Sequence, residues 1–217
     1  MYVARLSVGD LSSSHIWLGK NPHDYIFAIA HREIAWINRY AIRKAADDPL
    51  AASAAQNSPS EHISLLEKYL NVTPYLLPRD PDLVASTLWH KDLHSGNIFT
   101  EQNRITSIID WQGTWAGPLF LQARHPQLVD HHGEVVLKFP ENFKDIEDDE
   151  KIKLRRQIAS SIILYLYETN TAKENLRLNK VFRDEHGRTR AEPITFAGDT
   201  WDDDILPLRE SLIRVER

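Results

Sequence analysis

The chain has 217 residues, 42% hydrophobic and 26% charged, which is the composition of a folded globular protein rather than a disordered one. Its net charge is −5 and it has no long basic run, which argues against general nucleic-acid binding. It contains no cysteine, which excludes disulfides, thiolate catalysis and cysteine-ligated zinc. No apolar stretch approaches the roughly 20 residues of a membrane span, and the N-terminus lacks the pattern of a secretory signal, so we do not expect secretion.

The first part of the chain predicts loops and two helices. Residues 1–20 are mixed and predict a loop, whereas Asn21-Pro22-His23-Asp24 combines a capping residue, a proline at the first helical position and an early acid. Residues 46–58 predict a small-residue polar connector. A second helix is predicted from the capping-box pattern Ser58-Pro59-Ser60-Glu61, and Pro74 and Pro78 are expected to close this region.

The middle of the chain predicts β-strands rather than helices. Residues Ala85–Trp89 form a short β-prone run. Two further apolar runs, Asn97–Thr100 and Arg104–Ile109, flank the polar residues Glu101–Asn103 and predict a β-hairpin.

Helices return beyond residue 118. The longest is predicted from about Glu147 to Thr169, and a last one follows Thr200 with Asp202–Asp204 in its first turn. The predicted fold class is α/β but mainly helical, with a central β-hairpin, and residues 1–217 are treated as one partial domain.

The string His90-Lys-Asp-Leu-His-Ser-Gly-Asn97 has the spacing H-x-D-x-x-x-x-N, which is that of a kinase catalytic loop, and Asp110 follows an apolar strand. Phosphoryl transfer needs one carboxylate to orient a hydroxyl, and an amide oxygen and a second carboxylate to hold magnesium. An antiparallel hairpin brings Asn97 and Asp110 to the same end, because one opens its first strand and the other follows its second. We therefore predict Asp92 as the catalytic base and Asn97 and Asp110 as magnesium ligands at an ATP site.

Neighbouring residues have supporting or alternative interpretations. His90, His94 and Gly96 are assigned to the support of the loop, with Gly96 at a sharp backbone bend. Trp111 and Gln112 could form a substrate-facing wall, and the tryptophan alternatively packs in the core beneath the loop.

The strings His90–Asn97 and Ile108-Ile-Asp-Trp-Gln112 resemble the aminoglycoside phosphotransferase and choline kinase group, a branch of the protein-kinase-like fold. The resemblance implies transfer of a phosphoryl group from ATP, with Mg2+, to a hydroxyl of a small molecule. The wider runs Ser107–Pro118 and Phe196–Asp204 are similar to a fungal subgroup that includes the altered inheritance of mitochondria protein 9 family. The resemblance to that subgroup implies a mitochondrial location. If the resemblance does not hold, a cytoplasmic location is expected.

The sequence also departs from a complete kinase-like enzyme. Such enzymes place a Gly-rich loop and a strand lysine before the catalytic loop, but here only Gly9 and Gly19 precede Gly96 and there is no G-x-G-x-x-G. The lysine string Val135–Lys138 comes after the loop, in the wrong order. We therefore expect a C-terminal lobe whose N-terminal lobe is missing, incomplete at both ends, which would bind ATP weakly.

Two other functions remain open from the sequence. His90, Asp92 and His94, with the later histidines His125, His131 and His132, could belong to a His/Asp metal hydrolase. The chain could also be a non-catalytic kinase-like binding or regulatory module.

The acidic runs Asp145–Glu150 and Asp202–Asp204 could attract a cationic substrate, or could simply stabilise helix starts. Whether this chain is itself an active enzyme is left open.

Overall fold

The computed structural model describes residues 21–45, 55–112, 114–129, 131–198 and 200–216. The described part is mainly helical, as the sequence predicts, and has two two-stranded sheets, of which the sequence predicts only the central hairpin. The elements are α1 (Pro22–Tyr40), α2 (Pro59–Leu76), α3 (Pro81–Val84), β1 (Ser86–Leu88), β2 (Ile98–Glu101), β3 (Arg104–Ile108), β4 (Ala116–Pro118), α4 (Leu119–Gln122), α5 (Asp148–Glu174), α6 (Leu176–Arg183), α7 (Gly187–Phe196) and α8 (Leu206–Glu216). The predicted loop at 1–20 and residues 46–54 of the predicted connector lie outside the described residues.

The chain forms two compact units. The first unit comprises the residues up to Ser86 together with those from Glu185 onward, and the second comprises Thr87–Asp184. The first unit is therefore assembled from two stretches that are far apart in sequence. The candidate catalytic residues all belong to the second unit.

Helix α1 begins where the sequence predicts. The Asn21 side chain accepts a hydrogen bond from the His23 backbone N–H at 3.0 Å, and Pro22 occupies the first helical position, where no N–H is needed. Ile26, Ile29, Ala30 and Ile37 recur at helical spacing and are buried. These side chains form one side of the core of the first unit.

Helix α2 supplies the opposite side of that core. Leu66, Tyr69 and Leu76 are fully buried, and the Tyr69 hydroxyl donates to the Ile26 carbonyl of α1 at 2.9 Å. Burial of this hydroxyl raises the pKa of Tyr69. This hydrogen bond fixes the position of α2 along α1, which apolar packing alone would leave less defined.

Of the two prolines expected to close this region, Pro78 follows the end of α2, whereas Pro74 lies inside the helix. The helix continues through Pro74 to Leu76, with Thr73 and Leu76 fully buried. A proline inside a helix costs about 3 kcal/mol, and burying one leucine recovers about 1.5–3 kcal/mol, so packing offsets most of the cost. The start at Ser58 is as predicted, but its side chain bonds to the Ser60 hydroxyl rather than closing a capping box.

A buried glutamine connects α2 to the C-terminal part of the first unit. Gln56 is 2% exposed, and its Oε1 accepts from the Ile205 N–H at 2.8 Å. Its Nε2 donates to the carbonyls of Trp201 at 3.2 Å and Thr200 at 3.4 Å. One side chain from the end of the predicted connector thus satisfies the backbone of the segment before α8.

A buried carboxylate connects α1 to the same segment. Glu33 is 2% exposed and accepts hydrogen bonds from the Thr200 hydroxyl at 3.3 Å and the Trp201 N–H at 3.2 Å. Buried charges need such donors, because desolvation otherwise favours their neutral form. Glu33 and Gln56 together hold the 200–205 segment against α1 and α2.

His62 introduces a titratable group into this core. It is fully buried, its Nε2 lies 2.9 Å from the Gln56 carbonyl, its Nδ1 has no hydrogen-bond partner, and its ring packs edge-on against Trp201. Burial lowers the pKa of His62, which leaves the imidazole neutral in the folded state at neutral pH.

We expect the free energy of unfolding to fall as the pH drops below about 6.5, the ordinary histidine value. The unfolded chain then binds a proton that the folded chain excludes, so stability is full above that pH and is lost below it. Urea unfolding from pH 5 to pH 8 measures this. The His62→Gln variant should show a smaller dependence over pH 5–7; an unchanged dependence would contradict the assignment.

The C-terminal helices differ from the sequence expectation at one boundary. Helix α8 begins at Leu206, not near Thr200, so Asp202–Asp204 precede it and Pro207 lies in its first turn. The Asp204 carboxylate accepts from the Leu206 N–H at 2.9 Å.

None of the helices in the described part of the chain is long and apolar enough to cross a membrane.

The second unit is built around α5, which runs from Asp148 to Glu174, somewhat longer than predicted. Its first turn carries Asp148, Asp149 and Glu150, where negative charge favours a helix start. Its apolar residues are only partly buried: Ile158 packs inside, whereas Ile162 and Leu166 are exposed. The string Val135–Lys138 is a loop, and its Val136 N–H donates to the Ser161 hydroxyl of α5 at 3.0 Å.

Candidate functional site

The predicted hairpin forms, and it brings the two candidate metal ligands to one end. Strands β2 and β3 pair antiparallel with Ile98 opposite Ile108, and the Ile109 N–H donates to the Asn97 carbonyl at 3.0 Å. Gln102 and Asn103 form the turn with positive φ angles of 48° and 62°, which suits a tight two-residue hairpin. Asn97 therefore precedes β2 beside the point where Asp110 follows β3.

Asp110 has a φ angle of +63°, in the left-handed region. Aspartate tolerates this region better than most residues, but such a conformation still costs about 1–3 kcal/mol and persists only where its surroundings impose it. Residues held in this way cluster at functional sites. The carboxylate is exposed and is therefore open to a cation.

The loop that carries Asp92 is closed by its own hydrogen bonds. The His94 N–H donates to the Asp92 carbonyl at 3.1 Å, and the Asn97 Nδ2 donates to the same oxygen at 2.9 Å. Asn97 is 6% exposed. Because its nitrogen is engaged as a donor, its amide oxygen is the atom that can ligate a cation.

The Asp92 carboxylate is exposed and has one neighbour that the motif does not include. Gln127 Nε2 donates to Asp92 Oδ1 at 3.0 Å, and the Leu128 N–H donates to the Leu93 carbonyl at 3.4 Å. His94 Nε2 is 3.8 Å from Asp92 Oδ2. Sequence reasoning missed Gln127, because nothing in the local pattern marks a glutamine 35 residues downstream as a partner of Asp92.

The predicted supporting residues lie around this loop. His90 Nε2 is 2.8 Å from the Ile109 carbonyl, and its ring contacts Trp111 edge-on at 4.8 Å between centroids. The His94 Nδ1 accepts from the Gly96 N–H at 3.0 Å. A Cβ added at Gly96 would come within 2.8 Å of the His94 ring, so a side chain there would force that ring to move.

The residues after Asp110 lie at the surface rather than in the core. Trp111 is 45% exposed, with its Nε1 donating to the Ile108 carbonyl at 2.8 Å, and Gln112 is exposed. Trp115 is half-buried, and its ring centroid lies 5.8 Å from the Lys91 ammonium nitrogen. The expectation that Trp111 packs in the core beneath the loop is therefore wrong, and its role as a substrate-facing wall stays a prediction.

A second buried glutamine positions the strand before the loop. Gln122 Nε2 donates to the carbonyl of Thr87 in β1 at 2.8 Å and to that of Gly117 in β4 at 3.0 Å. It is 2% exposed, so both carbonyls are satisfied away from water. The side chain joins β1, which leads into the catalytic loop, to β4.

The geometry does not favour the hydrolase alternative. Within the described ranges, no group of three histidine, aspartate or glutamate side chains is placed to bind a metal ion. His125 instead lies 3.2 Å from Glu168, and His131 contacts the Ser160 hydroxyl at 3.0 Å. These histidines are occupied by contacts within the second unit.

Part of the chain is similar to a known family of enzymes. Residues 23–120 match the model of the phosphotransferase enzyme family. This range contains Asp92, Asn97 and Asp110, the three residues that the catalytic-loop spacing singles out. Enzymes of the phosphotransferase family generally use ATP and Mg2+.

Two relatives are subtelomeric hrmA-associated cluster proteins of Aspergillus fumigatus, from strains CBS 144.89 and Af293. Each is 30% identical over 207 residues, which covers 92% of this chain and 40% of the relative. The chain therefore spans about 40% of the length of the curated relatives it matches. No solved structure matches the chain significantly.

Proposed function

We propose that this chain is the C-terminal lobe of a kinase-like phosphotransferase, which transfers the γ-phosphoryl group of ATP to a hydroxyl of a small molecule. Asp92 orients the hydroxyl and accepts its proton, and Asn97 and Asp110 hold Mg2+. The metal, when bound, neutralises charge on the phosphate oxygens. The two proposed ligands both bind through oxygen, which is the ligand atom that a hard cation such as Mg2+ prefers.

One observation carries the proposal: the hairpin places Asn97 beside Asp110, while the Asn97 amide is bonded to the backbone of Asp92. The bonds are Ile109 N–H to the Asn97 carbonyl at 3.0 Å and Asn97 Nδ2 to the Asp92 carbonyl at 2.9 Å. In a polar loop formed by chance, there is no reason for the proposed base Asp92 to be hydrogen-bonded to Asn97. Nor is there a reason for Asn97 to lie beside Asp110.

Replacing Asp110 by asparagine is expected to weaken Mn2+ binding about tenfold to a hundredfold, because a unit charge beside the cation is removed. Asparagine also tolerates the left-handed backbone, so the loop should keep its shape. The electron paramagnetic resonance signal of free Mn2+, titrated with the 217-residue chain, measures the dissociation constant.

The control is Glu174→Gln, which removes an exposed acid at the end of α5 in the second unit and should leave Mn2+ binding unchanged. Equal affinities for the wild-type chain and Asp110→Asn, or no Mn2+ binding by the wild-type chain at millimolar metal, would count against the proposed site.

The isolated chain is expected to bind ATP weakly and to turn it over negligibly. The sequence has no G-x-G-x-x-G loop to cover the phosphates and no lysine strand before Asp92. Isothermal titration calorimetry of the chain with ATP and Mg2+ should give a dissociation constant in the millimolar range. Tight one-to-one binding would refute this expectation.

A second candidate, which the sequence leaves open, is a kinase-like module that binds or regulates without turnover. The intact set of Asp92, Asn97 and Asp110 argues for catalysis in the complete protein. Membership of the fungal subgroup, and the mitochondrial location it implies, remain part of this proposal and rest on the strings Ser107–Pro118 and Phe196–Asp204.

A further inference from the structure

A side chain from outside the catalytic-loop motif is hydrogen-bonded to the candidate base. Gln127 Nε2 lies 3.0 Å from Asp92 Oδ1, although the two residues are 35 positions apart in sequence. An ionised carboxylate can only accept hydrogen bonds, so the glutamine must donate. Hydrogen bonds to a charged group are stronger than those between neutral groups. The contact therefore joins the base to a part of the chain that the catalytic-loop spacing does not include.

This bond engages one carboxylate oxygen of Asp92 and leaves the other open. Within the described ranges, Oδ2 accepts no hydrogen bond, and His94 Nε2 is too far from it at 3.8 Å. The Asp92 side chain is 53% exposed, so a ligand hydroxyl can reach Oδ2. Rotation about the last side-chain bond of an aspartate is broad, and a donor on Oδ1 restricts it. The bond from Gln127 therefore gives Oδ2 a defined direction.

The backbone that carries Gln127 is itself fixed beside the catalytic loop. Gln127 begins a short 3₁₀ turn that ends at Val129, which is 2% exposed. The Val129 N–H donates to the Pro126 carbonyl at 2.9 Å, and the Leu128 N–H donates to the Leu93 carbonyl at 3.4 Å. The turn is thus held by a buried side chain on one side and by the loop backbone on the other.

His125 fixes the segment on the N-terminal side of that turn. Its ring stacks on Phe182 of α6, with 4.5 Å between centroids and 9° between planes, and its Nε2 lies 3.2 Å from Glu168 Oε1 of α5. Gln127 therefore extends from a backbone that is anchored before and after it. A group that supports a reacting residue is effective when its own position is fixed in this way.

We propose that Gln127 is a positioning residue, which holds Asp92 through Oδ1 so that Oδ2 accepts the proton of the acceptor hydroxyl. In this step the hydroxyl oxygen bonds to the γ-phosphorus, the bond from that phosphorus to the bridging oxygen of ADP breaks, and the hydroxyl proton moves to Oδ2. The inference rests on the proposed function, because it takes Asp92 as the base. A base held in the productive direction raises the rate, because less orientation has to be gained during the reaction.

Replacing Gln127 by methionine tests this, because methionine has a similar length but no N–H donor. In the full gene product, release of phosphate from radiolabelled ATP should show a kcat about tenfold to a hundredfold lower, a usual loss when a group that orients a reacting residue is removed. The KM for Mg2+-ATP should stay unchanged, since the nucleotide is assigned to Asn97 and Asp110. Gln127→Lys returns an N–H donor on a side chain of similar length and should recover most of the lost turnover.

The matched control is Gln157→Met, which removes another exposed amide bond, from Gln157 Nε2 to the Glu134 carbonyl at 3.0 Å, and should leave kcat unchanged. A double variant then separates positioning from a structural role. Added to Asp92→Asn, the Gln127→Met change should alter turnover by less than about twofold, because a residue that acts through Asp92 has no base left to orient.

Four results would overturn the inference: the same kcat in Gln127→Met and Gln157→Met, a raised KM with kcat unchanged, no recovery in Gln127→Lys, or equal proportional losses with and without Asp92. Failure of the proposed function is distinguishable from these. Unchanged turnover in Asp92→Asn would overturn both, whereas turnover lost in Asp92→Asn and retained in Gln127→Met would overturn only the role of Gln127.

Discussion

Replacing Asp92 by asparagine is expected to reduce phosphoryl transfer by the full gene product about 10²–10⁴-fold, because a positioned general base contributes that much to the rate. The asparagine oxygen can still accept the hydrogen bond that Gln127 donates to Asp92, so the loop geometry should be retained. The release of phosphate from ATP, with water as the acceptor, gives a readout that does not require the natural substrate.

The affinity for Mg2+-ATP should stay within a few-fold in this variant, because Asp92 is not assigned as a metal ligand. Glu174→Gln serves as the comparison and should retain full turnover, since Glu174 is exposed at the end of α5 and lies outside the catalytic loop. Unchanged turnover in Asp92→Asn, or an unchanged cellular phenotype, would leave the catalytic assignment without support and favour a binding or regulatory module.

Replacing Gln56 by leucine is expected to lower the free energy of unfolding by about 3 kcal/mol, because it deprives three buried backbone groups of their partner. These groups are the Ile205 N–H and the carbonyls of Thr200 and Trp201, although Lys44 Nζ, 3.3 Å from the Trp201 carbonyl, can still donate to that oxygen. Leucine has a similar volume, so the loss reports on hydrogen bonding rather than on a cavity.

Equilibrium unfolding in urea measures this change, with the denaturant slope expected to stay constant. Gln157→Leu is the matched control, because the Gln157 amide makes an exposed hydrogen bond to the Glu134 carbonyl and should cost less than about 1 kcal/mol. Equal losses in the two variants would show that Gln56 does not fasten the 200–205 segment.

The parts of the fold that the sequence predicts are those whose causes are local. The start of α1 follows from Asn21 and Pro22, and the hairpin follows from two β-prone runs around a polar turn. The catalytic-loop spacing then predicts that Asn97 and Asp110 meet, since both positions are fixed by a single antiparallel turn. The assignment of their roles stays a prediction until metal binding is measured.

The parts that the sequence does not predict depend on distant partners. Gln56 was interpreted as part of a polar connector, yet it is buried because its partners lie 144–149 residues away. Gln127 contacts Asp92 only because the segment after α4 folds back onto the loop. Helix α2 passes Pro74 because burial of Leu76 outweighs a local rule.

The division of the first unit into two sequence stretches has a consequence for the order of synthesis. Residues up to Ser86 leave the ribosome before the second unit, Thr87–Asp184, is made, and the segment with Thr200 and Trp201 follows only afterwards. At 5–20 residues per second this interval lasts about 5–20 s. Throughout it, Glu33 of α1 and His62 of α2 lack the partners Thr200 and Trp201 that they contact in the folded unit.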